Sequence, residues 1–194
     1  MKIILASKSP RRKEILSKIF PEFVIMSEDV DETLPDGVPL KIAVAELSER
    51  KGRAVYLALS DEDKRNSLII SSDTMVVLDD EPLGKPTDDT DAYNTLKRLS
   101  GREHFVYTGV AVRVGERVRF STAETKVIFK ELTDEEIFRY LESGEHKDKA
   151  GSYGIQGLAG SFVLGYEGDY DTVVGLSSRL LKEILEEFEI GFKE

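Results

Sequence analysis

One aspartate of this chain lies inside a run of residues that should be buried. Asp73 belongs to the segment 71–74, Ser-Ser-Asp-Thr, which is flanked by Ile69-Ile70 and by Met75-Val76-Val77. An unpaired buried charge is costly, so such a carboxylate needs a cationic partner, a metal ion or a chemical role. The common alternative is an aspartate in a turn or bulge that bonds nearby amides. The pattern alone indicates a function for Asp73 only weakly.

The densest group of cations follows the first apolar run and precedes a predicted helix. The segment is Ser7-Lys8-Ser9-Pro10-Arg11-Arg12-Lys13. Cations oppose the helix dipole at an N-terminus, whereas an anion there would be bound by the free amides. An ordinary basic first turn capped by Ser9 is the alternative. The segment predicts a phosphate-binding turn.

Three other segments carry groups that suit phosphate or metal chemistry. They are the acid cluster Glu28, Asp29, Asp31 and Glu32, the turn Gly84-Lys85-Pro86, and the glycine-rich loop 148–157. Clustered carboxylates suit Mg²⁺ or Mn²⁺, although most acids in loops are simply solvated. A lysine fixed in a turn suits a phosphate, although surface lysines in turns are common. The glycines of the loop would let its backbone approach a ligand closely.

Composition excludes several classes of protein. The 194 residues contain 27 Lys plus Arg against 37 Asp plus Glu, and the net charge of −10 argues against a broad nucleic-acid surface. The chain has no cysteine, and neither a long apolar run nor a signal peptide is evident, so a cytoplasmic protein without a membrane segment is expected. Only two histidines occur, which disfavours a His-rich zinc site, and His104 lies in a strand pattern typical of a structural residue.

These residues must be positioned by alternating strands and helices. Apolar periodicity predicts strands at 2–6, 23–28, 103–114, 117–130 and 161–167, and helices after Pro10, at 39–59, at 88–99, at 133–141 behind a capping box, and across 180–188. Residues 67–78 predict a strand pair, or one strand followed by a turn, and 145–160 a loop. The hairpin within 103–130 interrupts the alternation. We therefore expect one α/β domain, 1–194, with a long, mixed, curved sheet.

Taken together and in order, these pieces resemble the Maf family of nucleotide pyrophosphatases over nearly the whole chain. The similarity rests on Leu5-Ala6-Ser7-Lys8-Ser9-Pro10-Arg11-Arg12, Ser72-Asp73-Thr74, Leu83-Gly84-Lys85-Pro86, Leu99-Ser100-Gly101-Arg102, and the loop 148–157, Asp-Lys-Ala-Gly-Ser-Tyr-Gly-Ile-Gln-Gly. One departure is Gly175-Leu176-Ser177, where the family usually has proline after leucine. We expect this departure to affect only the start of the last helix.

The resemblance implies an elongated mixed sheet flanked by helices, with a cleft between two lobes, as in inosine-triphosphate pyrophosphatases. It implies that water attacks the α-phosphorus of a nucleoside triphosphate and pyrophosphate leaves, assisted by Mg²⁺, with Mn²⁺ or Co²⁺ as alternatives. It also suggests a homodimer. By resemblance, Asp73 accepts the proton of water, Glu32 is a metal or catalytic carboxylate, and Asp73 shares the metal. The implied triphosphate contacts are Ser7, Arg12, Lys51 and Lys85.

Three positions bear on the substrate. Arg11, Thr74 and Gln156 match the family's pyrimidine subgroup, whereas acidic residues occupy the last two positions in the subgroup that prefers 7-methyl-GTP. A neutral pyrimidine edge suits amide and hydroxyl partners. We therefore expect dTTP and UTP as substrates, with CTP or modified pyrimidine nucleotides as further possibilities. A nucleotide-binding regulator of septum formation without turnover remains the alternative, and RNA binding through residues 7–13 is poorly supported in so acidic a chain.

Overall fold

The protein is an α/β structure built on one mixed sheet, as seen in a computed structural model that describes residues 1–35 and 37–193. The strands are β1 (Lys2–Leu5), β2 (Val24–Ile25), β3 (Ser67–Leu78), β4 (Glu81–Leu83), β5 (Glu103–Val114), β6 (Arg117–Phe129) and β7 (Val163–Glu167). The helices are α1 (Pro10–Ile19), α2 (Leu40–Ala58), α3 (Asp61–Asn66), α4 (Asp89–Leu99), α5 (Asp134–Glu142), α6 (Tyr170–Val174) and α7 (Ser178–Glu187). The strand order is β2-β1-β3-β5-β6-β7, with β4 paired to β3.

The chain divides into two compact units. The first comprises Met1–Asp73, Thr108–Ala123 and Gly175–Glu194. In it, β1 pairs in parallel with β2 on one side and with β3 on the other. Side chains of β1, α2 and β3, and of the residues that directly follow β1 and α2, form an apolar cluster that consists of Ile4, Ala6, Val55, Leu59 and Ile69. This packing fixes α2 and β3, the two elements that carry Lys51 and Asp73.

A glycine of β5 sets how closely α2 approaches the sheet in the first unit. A Cβ atom added at Gly109 would lie 2.7 Å from the carbonyl carbon of Val44 and 2.9 Å from Cα of Ala45. Both atoms belong to the backbone of α2, so a side chain at position 109 would push the helix away from the strand. The absence of a side chain at Gly109 is therefore a condition for the observed position of α2.

The second unit comprises Thr74–Tyr107 and Glu124–Val174 and has its own apolar core. Phe129 is among the most deeply buried side chains of this core, which packs the sheet against α4 and α5. The start of α5 carries the predicted capping box, in which Thr133 and Glu136 each bond the other's backbone amide. The glycine-rich loop is tied to the turn at Lys85, because Gly151 N donates to the carbonyl oxygen of Gly84 at 3.1 Å.

The predicted elements agree with the structure in most places. The α/β class and the mixed sheet are confirmed, and residues 67–78 are one strand followed by a turn. The second strand is shorter than the predicted 23–28, since only Val24 and Ile25 pair. Two short α-helices, α3 and α6, were not predicted, because five or six residues give too little periodicity. The predicted loop 145–160 contains a 3-10 turn at Ala150–Ser152, and a second one at Leu158–Phe162 delays the last strand to Val163. The single domain stays a prediction, and no helix in residues 1–35 and 37–193 is both long and apolar enough to cross a membrane.

His104 is a core residue of the second unit, which agrees with the structural role expected from the sequence. Its side chain is 1% exposed and packs edge-on against Phe129. Its Nε2 atom and the hydroxyl group of Tyr153, in the glycine-rich loop, are 2.8 Å apart. Burial lowers the pKa of His104 from its ordinary 6.5 to about 4. The neutral ring therefore helps to anchor the loop at neutral pH.

This burial predicts a pH-dependent stability. Between pH 7 and 5 the unfolded chain protonates His104 while the folded chain does not, so the free energy of unfolding should fall by about 2 kcal/mol from this residue alone. The contribution of His104 to the free energy of unfolding is fully present above the pKa that this residue has in the unfolded chain. It is lost as the pH falls towards the pKa that His104 has in the folded protein. Urea unfolding of the wild type and of His104→Gln at both pH values measures it. Equal losses in the two proteins would contradict the assignment.

Candidate active site

The ammonium group of Lys51 lies between two carboxylates in the first unit. Lys51 Nζ is 2.5 Å from Asp73 Oδ1 and 2.6 Å from Glu32 Oε1. The side chains of Lys51 and Asp73 are 18% and 12% exposed, whereas that of Glu32 is 59% exposed. Asp73 is thus a largely buried acid with a cationic partner, and its remaining exposure leaves it accessible to solvent.

Three separate elements bring this group together. Asp73 lies in β3, Lys51 lies in α2, and Glu32 lies in the segment between β2 and α2. The strand and the helix are fixed by the apolar cluster of the first unit. The three residues are therefore held by tertiary packing, since they are 19 and 22 positions apart along the chain.

The basic turn at the start of α1 is ordered by its own hydroxyl groups. Ser9 is the N-cap, and its side chain accepts a hydrogen bond from the backbone amide of Arg12. The Oγ atom of Ser7 accepts bonds from Ser9 N at 3.2 Å and from Arg12 Nη1 at 3.3 Å. Arg12 Nε donates to the carbonyl oxygen of Gly175 at 2.8 Å. The sequence prediction that Ser9 caps this helix is confirmed.

The guanidinium group of Arg12 is electrostatically coupled to the same carboxylates. Burial lowers the pKa of Arg12, the charge of Asp73 raises it, neighbouring Arg11 lowers it further, and Glu32 raises it. Arg12 and Arg11 are both half-buried. Ser7, Arg12, Glu32, Lys51 and Asp73 thus form one neighbourhood with two cations and two carboxylates, a composition suited to a polyanionic ligand with or without a divalent cation.

The acid cluster of the sequence does not act as a unit. Glu28, Asp29 and Asp31 are exposed, and Asp31 Oδ1 accepts a bond from the backbone amide of Thr33 at 2.9 Å. Only Glu32 reaches Lys51. Within the described part of the chain, no three His, Asp or Glu side chains are close enough together to hold a metal by themselves.

Three predicted site residues belong to the second unit. Thr74 directly follows Asp73 on β3 and is half-buried. Lys85 and Gln156 are exposed, one in the turn after β4 and the other in the glycine-rich loop. Their predicted contacts with substrate stay predictions.

The sequence profile of a family described as Maf-like protein matches residues 2–188. The chain belongs to the Maf family. The resemblance inferred from the motifs is therefore confirmed.

Relatives in the Maf family match nearly end to end. A Clostridium botulinum protein named dTTP/UTP pyrophosphatase is 43% identical over 96% of this chain and 99% of its own. Proteins of the same name from Thermoanaerobacter sp. and Pseudoalteromonas translucida are 43% and 44% identical over at least 97% of each chain. The Staphylococcus aureus Ham1 protein aligns with TM-score 0.47 and 18% identity over 66% of this chain and 72% of its own, from which nothing about the site follows.

The departure from the Maf pattern at Ser177 has a local explanation. Ser177 is the N-cap of α7, and its side chain accepts a bond from the backbone amide of Leu180 at 3.2 Å. The departure thus lies at the N-cap of the last helix, and the expectation that its effect is confined to the start of that helix stays a prediction. Sequence reasoning missed the neighbouring Gly175, whose carbonyl oxygen holds both Arg12 and Ser72. The role of a backbone carbonyl group as acceptor cannot be read from the type of side chain. The presence of a glycine at position 175 was the one feature of the sequence that could have indicated it.

Proposed function

We propose that this Maf-family chain hydrolyses dTTP and UTP to the monophosphate and pyrophosphate. The observation that carries the proposal is the position of Asp73, a largely buried carboxylate within 2.5 Å of the ammonium of Lys51 and electrostatically coupled to Arg12. The names of the relatives, which are 43 to 44% identical over nearly the whole chain, supply the substrate class.

The basic turn is suited to holding the phosphates. The half-buried guanidinium of Arg12 is fixed through Nε and Nη1, and such a fixed planar donor loses little freedom when it bonds a phosphate oxygen. The positive end of the α1 dipole and the hydroxyl proton of Ser7 favour an anion at the same place. In this proposal, Arg12 and Ser7 orient the triphosphate and neutralise the negative charge that develops as pyrophosphate leaves.

Asp73 is suited to activating water. Its side chain is 12% exposed, so water can reach it, and Lys51 fixes its orientation. In the proposed step Asp73 takes a proton from water as the oxygen bonds the α-phosphorus, and the bond from that phosphorus to the oxygen bridging to the β-phosphate breaks.

The same carboxylates fit a divalent cation. Glu32 and Asp73 reach one common positive centre, the ammonium of Lys51. Mg²⁺ in phosphoryl-transfer sites is usually bound by one or two carboxylates plus phosphate oxygens and water, which matches this donor set. When bound, the cation supplies positive charge to the phosphate oxygens. We propose that Glu32 and Asp73 hold it, with Mn²⁺ or Co²⁺ as substitutes.

Release of pyrophosphate from a panel of nucleotides tests the function. With Mg²⁺ present, dTTP and UTP should give the highest kcat/KM, above CTP, the purine triphosphates and 7-methyl-GTP. A higher kcat/KM for 7-methyl-GTP would overturn the substrate assignment. Tight nucleotide binding without any release of pyrophosphate would instead favour a regulator.

Replacing Asp73 by asparagine should lower kcat by roughly 10²–10⁴-fold, because the amide keeps the shape of the side chain but accepts a proton poorly. The thermal midpoint should change little, which separates loss of chemistry from loss of fold. Asp63→Asn is the matched control, since Asp63 pairs with Lys2 at 3.4 Å outside the site, and it should keep wild-type kcat. Near-normal turnover by Asp73→Asn would rule out the proposed base.

Replacing Lys51 by methionine tests the metal without measuring turnover. Two carboxylates then face each other without their cation, and the free energy of unfolding should fall by about 1–3 kcal/mol, between the values for exposed and buried pairs. Added Mg²⁺ should restore the thermal midpoint of this variant and shift that of the wild type less, because Lys51 competes for the same carboxylates. Lys97→Met, which removes an exposed pair with Asp134 and leaves the site intact, should respond to Mg²⁺ only as much as the wild type does. Equal responses in all three proteins would contradict a metal at Glu32 and Asp73.

A further inference from the structure

A single backbone carbonyl near the end of the chain receives two side chains of the candidate site. The carbonyl oxygen of Gly175 accepts a bond from Arg12 Nε at 2.8 Å and one from Ser72 Oγ at 2.8 Å. Ser72 is fully buried, and Gly175 is buried as well. The two donors come from positions 163 and 103 residues away, so this oxygen joins three distant parts of the first unit.

The backbone at Gly175 needs external support. Its φ angle is +127°, which residues with a side chain rarely adopt and glycine reaches freely. The same freedom means that the peptide group is not held in one orientation by its own sterics. Two hydrogen bonds to the carbonyl oxygen supply that restraint.

The two donors to this oxygen come from α1 and from β3. Arg12 uses Nε for Gly175 and Nη1 for Ser7, which fixes the plane of its guanidinium group. Ser72 precedes Asp73 on β3, and successive strand residues face opposite sides of the sheet. The hydroxyl of Ser72 thus anchors the strand from the side opposite Asp73. Ser71, on the side of α2, instead donates to the carbonyl oxygen of Ser48 at 2.6 Å.

We propose that Ser72 and Gly175 are positioning residues for the phosphate-binding arginine. Ser72 holds the Gly175 carbonyl in the orientation that Arg12 requires, and the plane of the guanidinium group that results is the one that meets the phosphates. This inference rests on the proposed function, which supplies the ligand, a polyphosphate chain. The hydrogen bonds on which it is based involve only Ser72, Gly175 and Arg12.

Ser71 offers a matched control for Ser72. Both serines are buried on β3 and both donate to a backbone carbonyl, so Ser71→Ala and Ser72→Ala remove the same kind of bond from the same strand. Their thermal midpoints should fall by similar amounts. Only Ser72→Ala should weaken the binding of inorganic tripolyphosphate and raise KM for dTTP, by about three- to tenfold, the value of one hydrogen bond. Calorimetric titration and steady-state kinetics measure the two effects.

A double-mutant cycle with Arg12→Lys separates positioning from general stability. Lysine keeps the charge but has no Nε donor for Gly175, so Ser72→Ala should add less than about a twofold loss of tripolyphosphate affinity in that background. Ser71→Ala should leave affinity unchanged in both backgrounds. Ser72→Cys, which keeps the volume of the side chain but donates weakly, should behave like Ser72→Ala and covers the case in which the alanine variant does not fold.

The outcomes distinguish this inference from the proposed function. If Ser71→Ala and Ser72→Ala bind tripolyphosphate equally well, or if the Ser72 and Arg12 losses simply add, the positioning role is wrong even when dTTP is hydrolysed. If the wild type releases no pyrophosphate but the cycle shows coupling in tripolyphosphate binding, the positioning role stands and the proposed function fails.

Discussion

The first unit depends on one ammonium group shared by two carboxylates. Lys51 satisfies Asp73 on β3 and Glu32 on the preceding segment at the same time, at 2.5 and 2.6 Å. Without that cation, β3 would bury an unpaired aspartate and the two acids would repel each other. The shared ion pair therefore links a helix, a strand and a loop, and the same charges form the centre of the proposed chemistry.

A chain with a net charge of −10 must gather its cations locally in order to bind a polyanion. The first unit does so by placing the N-terminus of α1, with Arg12, near the Lys51 group. Burial of the Arg12 side chain disfavours its charge, and the nearby Asp73 favours it. In the proposed function, a bound triphosphate would likewise favour the charged form of Arg12.

Most of the secondary structure could be predicted because long elements have clear periodicity and clear ends. The helix α2 repeats its apolar residues over 19 positions, and α5 begins at a capping box that specifies its first residue. The two-residue strand β2 and the short helices α3 and α6 lacked such signals, since their boundaries depend on pairing and packing. A charge inside an apolar strand drew attention to Asp73, but that signal was weak and the predicted role came from the resemblance to the family.

The sequence by itself determined the membership of the family, the α/β class, and which side chains carry the relevant charges. Only the tertiary structure decided that Glu32, and not its acidic neighbours, meets Lys51, and that Gly175 receives both Arg12 and Ser72. The reason is physical. Composition and periodicity act over a few residues, whereas an ion pair or a hydrogen bond to a backbone oxygen between distant residues depends on how whole elements pack.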